Sequence, residues 1–84
     1  MKTKVVFEFN TVDALHAFDR EVYIKGKFHK KQWSVPTIMK MPNGRYAIEY
    51  CVGRITAMKL TKEREHFGTV KELMYKNIKV ESLV

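Results

Sequence analysis

Three histidines, one cysteine and a scatter of carboxylates are the residues of this chain that could do chemistry. His16, His29 and His66 stand far apart, outside any His-x-x-x-His or Cys-x-x-Cys context, whereas a structural metal site needs three or four converging ligands. Cys51 could act as a nucleophile only with a lowered pKa and a base beside it. The pattern around it places no histidine there, so a small structural side chain is the expectation. The nearest carboxylate pairs are Asp13 with Asp19 and Glu63 with Glu65. Neither spacing puts both acids on one helix face, so all four read as solvated surface groups. Ser34 and Ser82 lie outside any Gly-x-Ser-x-Gly elbow. Glycines at 26, 44, 53 and 68 are too dispersed for a phosphate loop. The expectation is a protein with no enzymatic activity, cofactor or metal.

Charge carries the strongest signal. The chain has 16 Lys and Arg against 9 Asp and Glu, a formal net charge of +7 over 84 residues. From Val22 to Ile48 there is no acid, and that stretch holds Lys25, Lys27, Lys30, Lys31, Lys40 and Arg45. Within it, Lys25-Gly26-Lys27-Phe28-His29-Lys30-Lys31-Gln32-Trp33 interleaves cations with two aromatics. Lysines neutralise phosphates and release counterions, and Phe28 and Trp33 could stack on exposed bases. Lysine outnumbers arginine, which suits loose phosphate contact more than bidentate reading of base edges. The candidate nucleic-acid-binding residues are therefore Lys25, Lys27, Phe28, Lys30, Lys31, Trp33, Lys40 and Arg45. In the competing arrangement this stretch is an exposed loop, with Phe28 and Trp33 turned back into the core.

The elements that must position these residues follow from hydropathy patterns. Val5, Phe7 and Phe9 alternate with Lys4, Val6 and Glu8, which predicts a half-buried strand over 4–9. Val12, Leu15, Phe18 and Val22 have helical spacing after a capping candidate in Asn10-Thr11 and an acid at Asp13. These predict a helix over 11–23, ended by Gly26. His16 falls beside its apolar stripe, at the boundary. Asn43-Gly44 between alternating residues predicts a hairpin with a type I′ turn. Counting outward pairs Met41 with Tyr46, Met39 with Ile48, Thr37 with Tyr50 and Val35 with Val52, one face that reads as core.

Residues 54–60 fit either a strand continued past a bulge at Gly53 or the start of a helix. Phe67, Val70, Leu73 and Met74 have helical spacing, Thr69-Val70-Lys71-Glu72 has the capping-box pattern, and 78–82 alternate as a last strand. The order strand, helix, hairpin, helix, strand predicts a single α+β domain over 1–84. Its expected form is a small βαββαβ, ferredoxin-like two-layer sandwich, an antiparallel sheet with two helices on one face.

Gly44-Arg45-Tyr46-Ala47-Ile48-Glu49-Tyr50 resembles in part the main octapeptide of RNA-recognition motifs, a family with the same element order. Gly44, Ile48 and Tyr50 match that pattern. The two stacking positions hold Arg45 and Ala47, so the sheet-face contact that the resemblance implies lacks its aromatics.

One cysteine allows no internal disulfide, and no stretch reaches the length of an apolar membrane span. The short apolar run after Met1 is no secretory core. A cytoplasmic location is expected. The leading functional expectation is an accessory or regulatory domain binding RNA or single-stranded DNA with low sequence specificity. The alternative is an inhibitor or modulator of the phage or mobile-element type, docking on an acidic protein surface. A homodimer through an exposed strand would also fit. A membrane partner is not expected, because the basic stretch lacks a long amphipathic helix.

Overall fold

A computed structural model describes residues 2–24 and 33–74 of the chain. The elements in order are strand β1 (Lys2–Phe9), helix α1 (Val12–Asp19) continued by a π-helical turn (Arg20–Ile24), strands β2 (Thr37–Lys40) and β3 (Tyr46–Gly53), and helix α2 (Arg54–Met74). The strands form an antiparallel sheet in the order β1-β3-β2. Thus β1 and β2, joined through α1, flank β3 on either side, which is a split β-α-β. The chain is an α+β domain with the arrangement of a ferredoxin-like two-layer sandwich. The expected last strand and Gly26 lie outside the described residues.

Alternation puts Val5, Phe7 and Phe9 of β1 on one face of the sheet, opposite Tyr50, Ile48 and Tyr46 of β3. This face packs on Ala14, Leu15, Phe18 and Val22 of the first helix and on Ala57, Leu60 and Phe67 of α2. Phe18 sits at the centre of the core. Its ring lies 5.4 Å from Phe9, 5.6 Å from Phe7 and 5.7 Å from Phe67, centroid to centroid, the edge-to-face and tilted range that aromatic pairs favour. Helix α1 starts where predicted. Thr11 has extended backbone and its hydroxyl accepts the Ala14 N–H at 3.1 Å, satisfying a donor that the helix itself leaves free.

The hairpin forms one residue out of the expected register. Lys40 pairs with Tyr46, Met39 with Ala47, Ile38 with Ile48 and Thr37 with Glu49. A type I′ turn at Asn43-Gly44 would make Pro42 and Arg45 a hydrogen-bonded pair, and proline has no N–H to give. It would also need positive φ at Asn43, and no described non-glycine residue has one. The chain instead makes a three-residue loop. The Gly44 N–H donates to Met41 O at 3.0 Å, the Met41 N–H to Arg45 O at 2.7 Å, and Gly44 takes φ +84°. Pro42 and Asn43 thus occupy a type I turn closed by a glycine bulge. A slip of one residue exchanges the faces of a strand. Ile38, not Met39, therefore packs towards the core beside Ile48, and Val35, expected inside, is 81% exposed.

Residues 54–60 are helical and run without a break into the next two turns of α2. Ala57, Leu60 and Phe67 are buried and Arg64 is half-buried between them, one face at the 3.6-residue period. The helix breaks at Gly68, whose φ 55° and ψ 175° belong to a region open essentially to glycine alone. The break redirects residues 69–74 so that Glu72 reaches the turn after β1. Glu72 Oε2 accepts the Asn10 N–H at 3.0 Å, and Oε1 accepts from Arg64 Nη2. Arg64 in turn donates to Glu8 O at 2.7 Å and lies 4.2 Å above the Phe9 ring. Both oxygens of Glu72, assigned from sequence to a capping box, thus tie this part of α2 to Arg64 and to the turn after β1.

Candidate nucleic-acid interface

Of the eight residues proposed from sequence to meet nucleic acid, Lys25, Lys27, Phe28, Lys30 and Lys31 lie outside the described residues. The structure places Trp33, Lys40 and Arg45. Trp33 is half-buried and turned inward. Its ring meets Tyr50 edge-on, 5.7 Å between centroids at 74°, and lies 5.6 Å from Tyr23 at 32°. Trp33 thus packs inward against the core, as in the competing arrangement, and stays partly exposed.

Lys40 and Arg45 are elsewhere. Lys40 is exposed at the end of β2, its ammonium 5.8 Å from the ring of Tyr46, its partner across the strands. Trp33 packs on Tyr50, four residues further along β3, roughly 13 Å away at the usual strand rise. Arg45 flanks the hairpin loop. Its Nε is 3.6 Å from Glu8 Oε1, the same oxygen that Asn43 Nδ2 approaches at 3.4 Å. Both side chains of this ion pair are about two-fifths exposed, 39% and 42%, so water screens it and it contributes little to stability.

The sheet face opposite the helices carries Lys4, Val6 and Glu8, Thr37 and Met39, and Ala47, Glu49 and Cys51, by strand alternation. No aromatic lies on it among the described residues. Arg45 stands at the turn and Ala47 is fully buried. The sheet-face stacking suggested by the octapeptide resemblance has no residues here.

A buried polar pair that sequence reasoning missed joins Asp19 to Tyr50, whose ring Trp33 meets edge-on. Asp19, read as a surface acid, is 5% exposed, and its Oδ1 accepts the Tyr50 hydroxyl at 2.8 Å. Burial raises the Asp19 pKa above the ordinary carboxylate value, against the opposing pull of the Tyr50 hydrogen bond and of His16 one turn earlier. Burial also raises the Tyr50 pKa, and the charge and hydrogen bond of Asp19 add to it, so the phenol stays protonated and donating. His16 Nδ1 is buried without a hydrogen-bond partner in the structure. The π-helical turn begins at the residue after Asp19. Such a turn inserts one extra residue into the helical ladder, a feature often found at functional positions. Here it carries the chain to Tyr23, against Trp33. The only advance signal was a carboxylate adjoining the apolar stripe at Phe18.

Tyr23 and Trp33, in ring contact with each other, stand in sequence on either side of the basic segment, whose residues 25–32 lie outside the described ones. Lys25 is two residues from Tyr23 and Lys27 four; Lys30 is three from Trp33 and Lys31 two. Among the described residues no group of three or more His, Cys, Asp or Glu is placed to hold a metal, and no helix is long and apolar enough to cross a membrane. No protein-family model, curated protein or solved structure gives a significant match to this chain.

Proposed function

We propose that the protein binds single-stranded nucleic acid, RNA or DNA, through the basic segment held between Tyr23 and Trp33, with low sequence specificity and without catalysing a reaction. The observation that supports this reading best is the Tyr23–Trp33 ring contact at 5.6 Å. It fixes both ends of an acid-free segment that carries four lysines. Cations closely spaced along one short, acid-free segment build a local positive potential that a flexible phosphate chain can follow. Phe28 is the aromatic of the segment left to stack on a base, a contact worth about 1–3 kcal/mol. Lys40 and Arg45, at the far end of β3, contribute through longer-range attraction.

The test is binding of a fluorescently labelled single-stranded RNA to the full chain, followed by anisotropy. Replacing Lys27, Lys30 and Lys31 with Glu abolishes binding on this account, while circular-dichroism melting reports an intact fold. Lys40→Glu with Arg45→Glu weakens binding only modestly. Affinity that survives the loop substitutions, or that is lost only with Lys40 and Arg45, removes the segment from the function.

A further inference from the structure

Helix α2 presents an outward stripe that the nucleic-acid reading leaves unused. Its buried line runs through Ala57, Leu60, Arg64 and Phe67. At 100° per residue, the opposite side carries Ile55, Met58, Lys59, Lys62 and His66. Ile55 is 70% and Met58 62% exposed, and Arg54, Lys59, Lys62 and His66 are exposed with them. A single exposed apolar side chain needs no explanation. Here two large ones are adjacent at i and i+3, and cations border them along the helix. Glu65 lies at one edge of this stripe and Glu63, four residues after Lys59, at the other. Lys59 and Lys62, also at i and i+3, set two exposed cations side by side where a partner's carboxylates can meet them.

We infer that this stripe is a docking face for an acidic, amphipathic segment of another protein, one that seats apolar side chains on Ile55 and Met58 and carboxylates on Lys59, Lys62 and Arg54. Charge complementarity selects the partner. A phosphate backbone matches the cations but gains nothing from the apolar pair. Two apolar side chains are too few to hold a helix in a lipid surface. A helix-in-groove or helix-on-helix contact uses both, reading anchors at i, i+3 and i+4 spacing. Methionine suits such a face, since its flexible thioether adapts to different apolar partners.

The probe is a synthetic helical peptide of about 16 residues, with leucine along one face and glutamate along the rest. It is titrated into isotope-labelled full-length protein and followed by methyl and amide NMR. The inference predicts shifts centred on Ile55 and Met58. It also predicts affinity about tenfold weaker or worse when leucine in the peptide becomes serine, when glutamate becomes lysine, or when the protein carries Ile55→Ser with Met58→Ser. These protein positions are exposed, so the fold tolerates the change. Lys30→Gln, in the basic segment, leaves the binding unchanged and keeps this outcome separate from that of RNA binding. Four results overturn the inference: shifts centred elsewhere; equal affinity for the serine peptide, which would mean charge alone; tighter binding to anionic phosphatidylserine vesicles at the same residues; and nuclear Overhauser contacts in the free protein from Ile55 or Met58 to residues 75–84.

Discussion

Replacing Tyr50 with Phe removes one oxygen from the fully buried centre of the sheet and leaves the rest of the ring in contact with Phe7, Phe18 and Trp33. No cavity larger than a hydroxyl results, so the cost is that of the hydrogen bond to Asp19. A bond to a carboxylate contributes about 1.5–3 kcal/mol, and one to a neutral acid about 0.5–1.5 kcal/mol. For a domain of this size a loss of about 2 kcal/mol lowers Tm by roughly 8–16 °C. Burial raises the native pKa of Asp19 above the ordinary value near 3.8, so the folded state binds this proton more tightly than the unfolded chain. The contribution of Asp19 to stability is therefore greatest below that value and is lost as pH rises through the raised native pKa. The Tyr50 hydroxyl favours the ionised form. Its removal raises the native pKa further and costs most above it, with a smaller penalty in acid. Urea denaturation of wild type and Tyr50→Phe at several pH values, repeated in an Asp19→Ala background, measures both the cost and its pH dependence. Tyr50→Phe should be nearly neutral where Asp19 is absent. An equal cost in both backgrounds would show that the hydroxyl acts through packing and not through Asp19.

Two further substitutions probe the other end of the domain. Gly68→Ala meets no atom within 4 Å, yet places a side chain at φ 55° and ψ 175°. It should cost about 1–3 kcal/mol from backbone strain alone, whereas Gly53→Ala, equally open and without positive φ, should change stability by no more than about 0.5 kcal/mol; chemical denaturation of both separates strain from crowding. Glu72→Ala leaves the Asn10 N–H and Arg64 without their shared acceptor, and should cost about 2–3 kcal/mol. Hydrogen exchange then reports faster exchange at Asn10 than at the centre of β3.

Much of this architecture is legible in the sequence because local rules and tertiary packing agree. The alternation of Val5, Phe7 and Phe9 specifies β1, and Thr11 with the Leu15 and Phe18 spacing specifies the first helix. Asn43-Gly44 signals the hairpin, but the dipeptide alone misleads about register, because the missing N–H of Pro42 rules out the two-residue turn. Residues 54–60 are ambiguous in a short window. Only when read through to Phe67 does the spacing of Ala57, Leu60, Arg64 and Phe67 become helical. Asp19 looks like a surface acid because its partner, Tyr50, is 31 residues away, and only the packing of α1 on β3 brings them together. In the candidate site, Trp33 belongs to the basic stretch in sequence, and its ring packs against Tyr23 and Tyr50, partners that the local pattern does not reveal. Lys40 and Arg45 group with it in sequence, and the length of β3 separates them from it.

The most direct test of the central claim is the salt dependence of single-stranded RNA affinity for the full chain. Four lysines that each neutralise one phosphate give a slope of about −2.8 in log affinity against log salt, at about −0.7 per phosphate. Between about 50 and 200 mM salt the affinity should then fall roughly 50-fold. Absence of binding at the lower salt, or a change of less than about threefold over that range, would contradict the account.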